Sequence, residues 1–217
     1  MSDRAMARRL AERATISGDP LGWFEPLYLA AENGTATVPW ADLAPNPHLT
    51  GWTHLNPDTM RTAVVVGCGY GDDAEWLAGR GLDVTAFDIA PTAIHACRRR
   101  FPDSSVNYRV VDLLDLPAAW TRQRYDLVVE AYTLQVLPPG SHQRRAAIQS
   151  LAAITGSVLL IIARGRDEDD PLGDMPWPLL PTELDSLAEA DLRILGWDDY
   201  YDTEDPPVRR FRVTFSR

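Results

Sequence analysis

Lysine is absent from the chain, and all 21 of its basic residues are arginine. Without a side-chain amine there is no Schiff-base anchor for pyridoxal phosphate, no phosphate-loop lysine and no lysine general base. Cysteine is almost as scarce. Cys68 and Cys97 are the two present, too few for a zinc cluster or a disulfide framework, so both read as reduced thiols and no metal site is expected. Long apolar runs are missing as well: the longest, residues 158–163, has six residues, against the roughly 20 that a bilayer-spanning helix needs. No apolar stretch follows the Arg8 and Arg9 pair, which argues against secretory or twin-arginine export and gives a cytoplasmic expectation. Asp and Glu number 31, leaving a net charge of −10, and such a surface repels a polyphosphate backbone. The expected partner is therefore a small molecule, with no nucleic acid and no membrane.

What is there, 45% hydrophobic and 24% charged residues over 217 positions, suits one globular unit with a real core. Apolar runs at 63–66, 84–87, 106–111, 127–129 and 158–163 alternate with helix signals, the pattern of a parallel sheet covered on both faces. Asp72 and Glu75 read as a capping box opening a helix over 72–80, Pro91 as a first-turn proline, and Ser141 as the start of a third helix. The triple arginine Arg98, Arg99 and Arg100 reads as complementing the dipole at the end of the second helix. A loop rich in Asp and Pro covers 164–181, a helix is expected near 182–190, and 192–201 with 208–215 read as a closing hairpin. Residues 1–58 carry Trp23, Phe24, Trp40 and Trp52 among prolines and read as a helical cover over a single unit spanning 59–217.

The strongest local signal is VVVGCGYGDD, in which Gly67, Gly69 and Gly71 leave a buried-strand run and precede a helix. Glycines here permit the strand-to-helix turn and let a ligand approach the main chain. Asp88 ends the next strand, 17 residues after Gly71, where a carboxylate accepts from both hydroxyls of a ribose; its alternative role is helix capping. The spacing differs from the G-x-G-x-x-G of dinucleotide sites, because Asp72 holds the third glycine's place. Asp72 and Asp73 would repel a pyrophosphate at that helix start, whereas S-adenosylmethionine carries a cationic sulfonium and no phosphate. Asp112, in VVDLLDLP, is placed to accept from an adenine amino group while the Leu113 main chain reads the ring edge, with Asp115 as a substitute and loop capping as the plainer reading. After the fourth run, Glu130, Ala131 and Tyr132 fall at a strand carboxyl end, where open α/β sheets bind ligands.

These residues resemble the class I S-adenosylmethionine-dependent methyltransferases over about residues 58–217, with the GxGxG turn at Gly67, Gly69 and Gly71, the ribose acid at Asp88 and the adenine acid at Asp112. The resemblance implies an α/β fold: a Rossmann-like, doubly wound, seven-stranded, mostly parallel sheet with a C-terminal antiparallel hairpin. It also implies cofactor contacts from Cys68, Ile89, Leu113, Glu130 and Ala131. The family's acidic residue two places before the first glycine is replaced by Val65. More narrowly, WFEPLY at 23–28, the VPW ending at Trp40 and NPHL before Trp52 are similar to the thiopurine and thiol methyltransferase branch. There an aromatic N-terminal segment folds over the cofactor, which implies that Trp23 and Trp40 lie at its methionine end and that Tyr28 faces the substrate.

Methyl transfer from a sulfonium is an in-line displacement, served by alignment and a dry pocket. A thiolate or neutral nitrogen acceptor needs no base, whereas an oxygen acceptor usually does; Glu130, Tyr132, His54 and His142 are the candidates. Arg164 and Arg166 either hold an acidic substrate or pair with the acids at 167–170, and the segment through Met175, Pro176 and Trp177 forms an acceptor wall. The expected activity is small-molecule methylation, on sulfur first and on nitrogen or oxygen second, releasing S-adenosylhomocysteine. The competing readings are a nicotinamide-dependent oxidoreductase and a non-catalytic partner subunit that keeps the fold.

Overall fold

A computed structural model of the chain describes residues 3–217. In chain order the N-terminal part holds α1 (Asp3–Ile16), α2 (Phe24–Glu32) and α3 (Pro47–Thr50). The sheet and its crossovers follow as β1 (Thr62–Val66), α4 (Asp72–Ala78), β2 (Asp83–Asp88), α5 (Pro91–Arg100), β3 (Asn107–Val110), α6 (Ala118–Gln123), β4 (Tyr125–Ala131), α7 (His142–Ile154) and β5 (Thr155–Arg164). The chain closes with α8 (Ser186–Glu189), β6 (Arg193–Tyr201) and β7 (Arg209–Ser216).

The described strands form one seven-stranded sheet in the order β3-β2-β1-β4-β5-β7-β6. Strands β1 to β5 pair in parallel, and β7 runs antiparallel between β5 and β6. This is the expected doubly wound architecture with its terminal hairpin. The order turns round between β1 and β4, so the crossover helices of the first half and those of the second half cover opposite faces. On one face, Ala63, Val65, Val84 and Ala86 pack with Ala74 and Leu77 of α4 and Ile94 and Cys97 of α5. On the other, Val64, Val66, Val128 and Ile161 pack with Ile148 and Leu151 of α7. Alternate residues of the same strand thus enter different cores, as the period of two requires. Open α/β sheets bind ligands beyond the strand carboxyl ends at such a turn-round, here beyond β1 and β4.

Two helix readings are corrected. No capping box opens α4: its N-cap is Gly71 at φ +89°, and Asp72 and Glu75 are engaged elsewhere. Glu75 accepts from the hydroxyls of Ser104 and Tyr108, the latter at 2.6 Å, while Asp72 takes both guanidinium branches of Arg100 at 2.8 Å. Long-range partners outcompeted a local cap. The helix expected near 182–190 divides into a single 3-10 turn, Pro181–Leu184, and α8. Glu183 causes the break by folding back to accept from Leu180 N at 2.9 Å while it binds the fully buried Arg144 at 2.9 and 3.1 Å. By contrast, Pro91 occupies the first turn of α5, and Ser141 caps α7 by accepting from Arg144 N, as read from the sequence.

The N-terminal segment is fixed to both halves of the sheet. Glu25 of α2 accepts from the Thr92 amide at 3.0 Å and hydroxyl at 2.6 Å, satisfying donors at the start of α5. Trp52 is buried in the same core as β1 and β5 and donates to Thr214 Oγ1 of β7 at 2.9 Å. Arg99 pairs with Glu32 and Arg98 donates to Tyr108 O, so the triple arginine makes specific bonds in addition to any dipole effect.

Gly71 is sterically restricted at the start of α4. A Cβ there would meet the Tyr108 hydroxyl at 2.5 Å and Cys97 Sγ at 3.1 Å. Gly71→Ala is expected to lower stability by about 2 kcal/mol or more, from the left-handed backbone and the displaced Tyr108 together. Urea denaturation checks this; an unchanged midpoint would mean that the crossover relaxes freely.

Candidate active site

The glycine turn is a bent cradle. Gly67, Gly69 and Gly71 have φ of +59°, +54° and +89°. Cys68 N donates to Phe87 O at 2.9 Å, tying the turn to β2, and Cys97 Sγ donates to Gly69 O at 3.2 Å. Asp88, at the end of β2, is 6% exposed; its Oδ2 accepts from Gly69 N at 3.0 Å and its Oδ1 from Ala90 N at 2.9 Å. Each oxygen keeps a further lone pair. Ala90, not Asp88, is the N-cap of α5. Burial raises the Asp88 carboxyl to about 6, against the pull of the Ala90 and Gly69 amides.

The two acids that follow the turn differ in state. Asp72 is neutralised by Arg100, which also donates to Tyr70 O at 2.6 Å. Asp73 accepts from Asn46 N at 2.7 Å, and burial raises it to about 6. The negative charge read from the sequence at this helix start is therefore largely compensated, which weakens the electrostatic case against a pyrophosphate. On the neighbouring turn, Asp112 Oδ1 accepts from Leu114 N at 2.8 Å in an Asx turn. Leu113 is buried, Ile89 is partly exposed and Asp115 is exposed.

Aromatic side chains cover the turn. Tyr28 Oη lies 3.3 Å from the position of a Cβ on Gly69, and its ring meets Tyr70 edge-on with centroids 5.3 Å apart. Trp40 donates to Tyr28 Oη at 3.2 Å and makes edge contacts with Trp23, Phe24 and Tyr28. Trp23 is buried and stacks on Phe24 at 4.1 Å, and its Nε1 has no hydrogen-bond partner. Tyr28, read as a substrate residue, is thus placed against the glycine turn itself.

At the carboxyl end of β4 the chain splits its chemistry between the two faces. Glu130, opposite Val66 in register, is fully buried; Oε1 accepts from Leu134 N at 2.9 Å and Oε2 has no partner. Burial raises it to about 7, against the Leu134 and Thr133 amides. Ala131 and Tyr132 pack on the opposite core, and Tyr132 adopts φ +67°. Such a backbone in a non-glycine residue marks a constrained turn. The Tyr132 ring lies 5.2 Å from the Arg210 guanidinium.

The sequence reading missed a neighbouring pair. Tyr200 Oη and His48 Nδ1 are 2.6 Å apart, and Arg210, paired with Asp202 at 2.6 Å and with Glu204, stands opposite Tyr200 in register. The signals were present: Asn46 and Pro47 are a cap and first-turn pair that orients His48, and counting the hairpin register brings Tyr200 to Arg210. The histidines singled out instead, His54 and His142, are exposed.

Arg164 and Trp177 meet along the 164–181 loop. Arg164 donates to Pro176 O at 3.2 Å and its amide donates to Gln135 Oε1 at 2.7 Å, while Trp177 N donates to Gln135 O at 2.7 Å. The expected pairing of Arg166 with the carboxylates at 167–170 is not what forms. Arg166 uses the carbonyls of Asp167 and Asp170, and it is Arg209 that binds their carboxylates, at 2.8 and 3.7 Å.

The buried acids give a pH signature opposite in sign to ordinary acid denaturation. Glu130, at about 7, and Asp73 and Asp88, at about 6, hold protons in the folded state that the unfolded chain releases at lower pH. Their contribution to stability is complete below the unfolded values near 4 and declines as pH rises through 6 and 7. The thermal midpoint is expected to fall between pH 5 and pH 8, and Glu130→Gln to flatten that slope. A variant slope equal to wild type would contradict the Glu130 assignment.

Comparison with known proteins agrees with this geometry. Residues 63–156 match a family described as a methyltransferase domain. A malonyl-[acyl-carrier protein] O-methyltransferase of Acetivibrio thermocellus is 42% identical over 72 residues, which cover 32% of this chain and 24% of that protein, so the match spans about a quarter of the relative's length. Among solved structures, a protein described for the conversion of a disulfide bond into a thioacetal group during echinomycin biosynthesis aligns at TM-score 0.68 and 21% identity, covering 89% of this chain and 93% of its own. The N-methyltransferase NodS of Bradyrhizobium japonicum, bound to S-adenosylhomocysteine, aligns at TM-score 0.66 and 19% identity, covering 88% and 98%. Residues 63–156 thus match a methyltransferase domain, and the chain carries the fold of class I S-adenosylmethionine-dependent methyltransferases.

Proposed function

We propose that the chain methylates a small molecule from S-adenosylmethionine, with a thiol as the leading acceptor class. The observation that carries this reading is the Asp88 to Gly69 bond, which fixes a buried carboxylate with spare lone pairs against the glycine turn at the strand-order reversal. The residues fit the cofactor: the turn presents main chain where a Cβ would crowd Tyr28, and the Tyr28 and Tyr70 rings pack edge-on beside it. When bound, S-adenosylmethionine supplies an electrophilic methyl group on a cationic sulfur.

In this reading Asp88 receives the ribose hydroxyls, Asp112 and the Leu113 main chain meet the adenine with Ile89 beside it, and the turn at Gly67, Cys68, Gly69 and Gly71 borders the amino-acid part. Glu130 and Ala131 shape the floor at the end of β4. Trp23 and Trp40 close the site, where ring faces stabilise a cation by roughly 0.5 to 2 kcal/mol each. Tyr132 faces the acceptor and orients it, with Tyr28, Arg164 and Trp177 as further acceptor contacts. Alignment alone can remove up to about 7 to 11 kcal/mol of barrier in the best oriented cases. A thiol suits a site whose main contribution is alignment, because its thiolate, a few per cent of the thiol near neutral pH, is a strong nucleophile. Oxygen and nitrogen are the competing acceptors, and fold likeness does not choose among them.

Two measurements test the reading. Asp88→Ala should weaken S-adenosylhomocysteine binding at least tenfold by calorimetry with the circular dichroism unchanged, since hydrogen bonds to a charged acceptor are worth roughly 1.5 to 3 kcal/mol each. Equal affinity, or tight binding of NAD by the wild type, would reject the cofactor assignment. Trp40→Ala should lower kcat/KM for thiol methylation at least tenfold while shifting the denaturation midpoint little, because its ring is 41% exposed. A loss of stability without a loss of rate would make Trp40 a packing residue only.

A further inference from the structure

A neutral thiol must lose its proton when its sulfur is methylated. Tyr200 and His48, at the carboxyl ends of β6 and of the N-terminal cover, stand where that proton can go. The Tyr200 hydroxyl and His48 Nδ1 are 2.6 Å apart, a short hydrogen bond between a donor and an imidazole nitrogen. The pair is held from both sides: His48 N donates to Asn46 Oδ1 at 2.9 Å, and His48 O accepts from Arg212 at 3.1 Å. The pair is linked inward, because the Asn46 amide donates to Asp73 at the start of α4 and Arg210, opposite Tyr200 in register, lies 5.2 Å from the Tyr132 ring. His48, Tyr200 and Arg212 line an open depression beside Asp198, so the pair is reachable from solvent.

We propose that Tyr200 and His48 form a proton relay that deprotonates a neutral thiol acceptor seated beside Tyr132. The proposal rests on the thiol-methylation reading above. As the acceptor's S–H bond breaks, its electron pair stays on sulfur, giving the thiolate. The proton passes to Tyr200 Oη while the Tyr200 hydroxyl proton moves to His48 Nδ1, leaving a neutral tyrosine and an imidazolium that discharges to solvent. Tyr200 is the group that touches the acceptor, and His48 acts through it. The electrostatic surroundings permit this direction of transfer. Burial first, then Arg210 and Arg212, hold His48 below its ordinary value and so unprotonated near pH 7, with a free lone pair, while Asp202 and Glu204 offset part of that. Arg210 and Arg212 are themselves paired, with Asp202 and Glu204 and with Asp198, so neither leaves a bare cation that would trap the thiolate.

The test is the pH dependence of thiol methylation at saturating S-adenosylmethionine. An ordinary thiol has a pKa of about 8.5, so without a relay the rate falls about tenfold per pH unit below it. Wild type should hold its rate down to about pH 7, whereas Tyr200→Phe should follow the free thiolate fraction. The variant is then about 30-fold slower at pH 7 and within about twofold of wild type above pH 9. His48→Gln should reproduce that profile, and both variants should bind S-adenosylhomocysteine as wild type does. A second readout needs no turnover: an aromatic thiol whose thiolate absorbs in the visible, titrated into the S-adenosylhomocysteine complex, should ionise at lower pH on wild type than on Tyr200→Phe. Parallel pH profiles in an active wild type, or equal probe ionisation, would overturn the relay alone. A wild type that binds S-adenosylhomocysteine yet methylates no thiol would overturn the relay and the thiol reading together.

Discussion

The architecture of the site depends on one buried carboxylate. Asp88 accepts from the Gly69 amide of the first crossover and from the Ala90 amide of the second, so two turns from different strands are fixed at one point. A carboxylate removed from water is stable only when donors replace that water. Here the donors are backbone amides of the elements that must be brought together, and lone pairs are left over on both oxygens. Desolvation and function are thus linked: the burial that raises the Asp88 carboxyl is the burial that makes a filled hydrogen-bond shell worth having.

Around that point the chain handles its excess of acid by pairing. Arg100 neutralises Asp72, Arg209 gathers Asp167, Asp170 and Asp199, Arg210 takes Asp202 and Glu204, and Arg144 reaches Glu183 from a fully buried position. Arginine suits this work, since its planar fork binds carboxylates through two branches and keeps its charge when buried. Many of these pairs tie segments distant in sequence. The N-terminal cover is docked in the same manner, with Glu25 on the start of α5, Asn46 on Asp73 and Trp52 on Thr214.

Much of this was legible beforehand. Strand positions, the glycine turn, Asp88 at a strand end, Pro91 and Ser141 at helix starts and the closing hairpin all follow from local rules acting over a few residues. The readings that failed share a cause. Asp72 and Glu75 satisfy the letters of a capping box, but Arg100 and Tyr108, 28 and 33 residues away, hold them instead. Arg166 sits next to acids in sequence, yet Arg209 arrives from the antiparallel strand and takes Asp167 and Asp170. His48 escaped notice because its partner is 152 residues distant, and no periodicity connects α3 with β6. Charge pairing and proton chemistry are tertiary properties, whereas turns and caps are local ones.

The most direct test of the central claim is a crystal structure of the chain with S-adenosylhomocysteine bound. The account predicts both ribose hydroxyls on the Asp88 carboxylate, the adenine beside Asp112 and Leu113, and the sulfur directed toward Tyr132. A ligand bound elsewhere, or no ligand at Gly67 to Gly71 at saturating concentration, would contradict it.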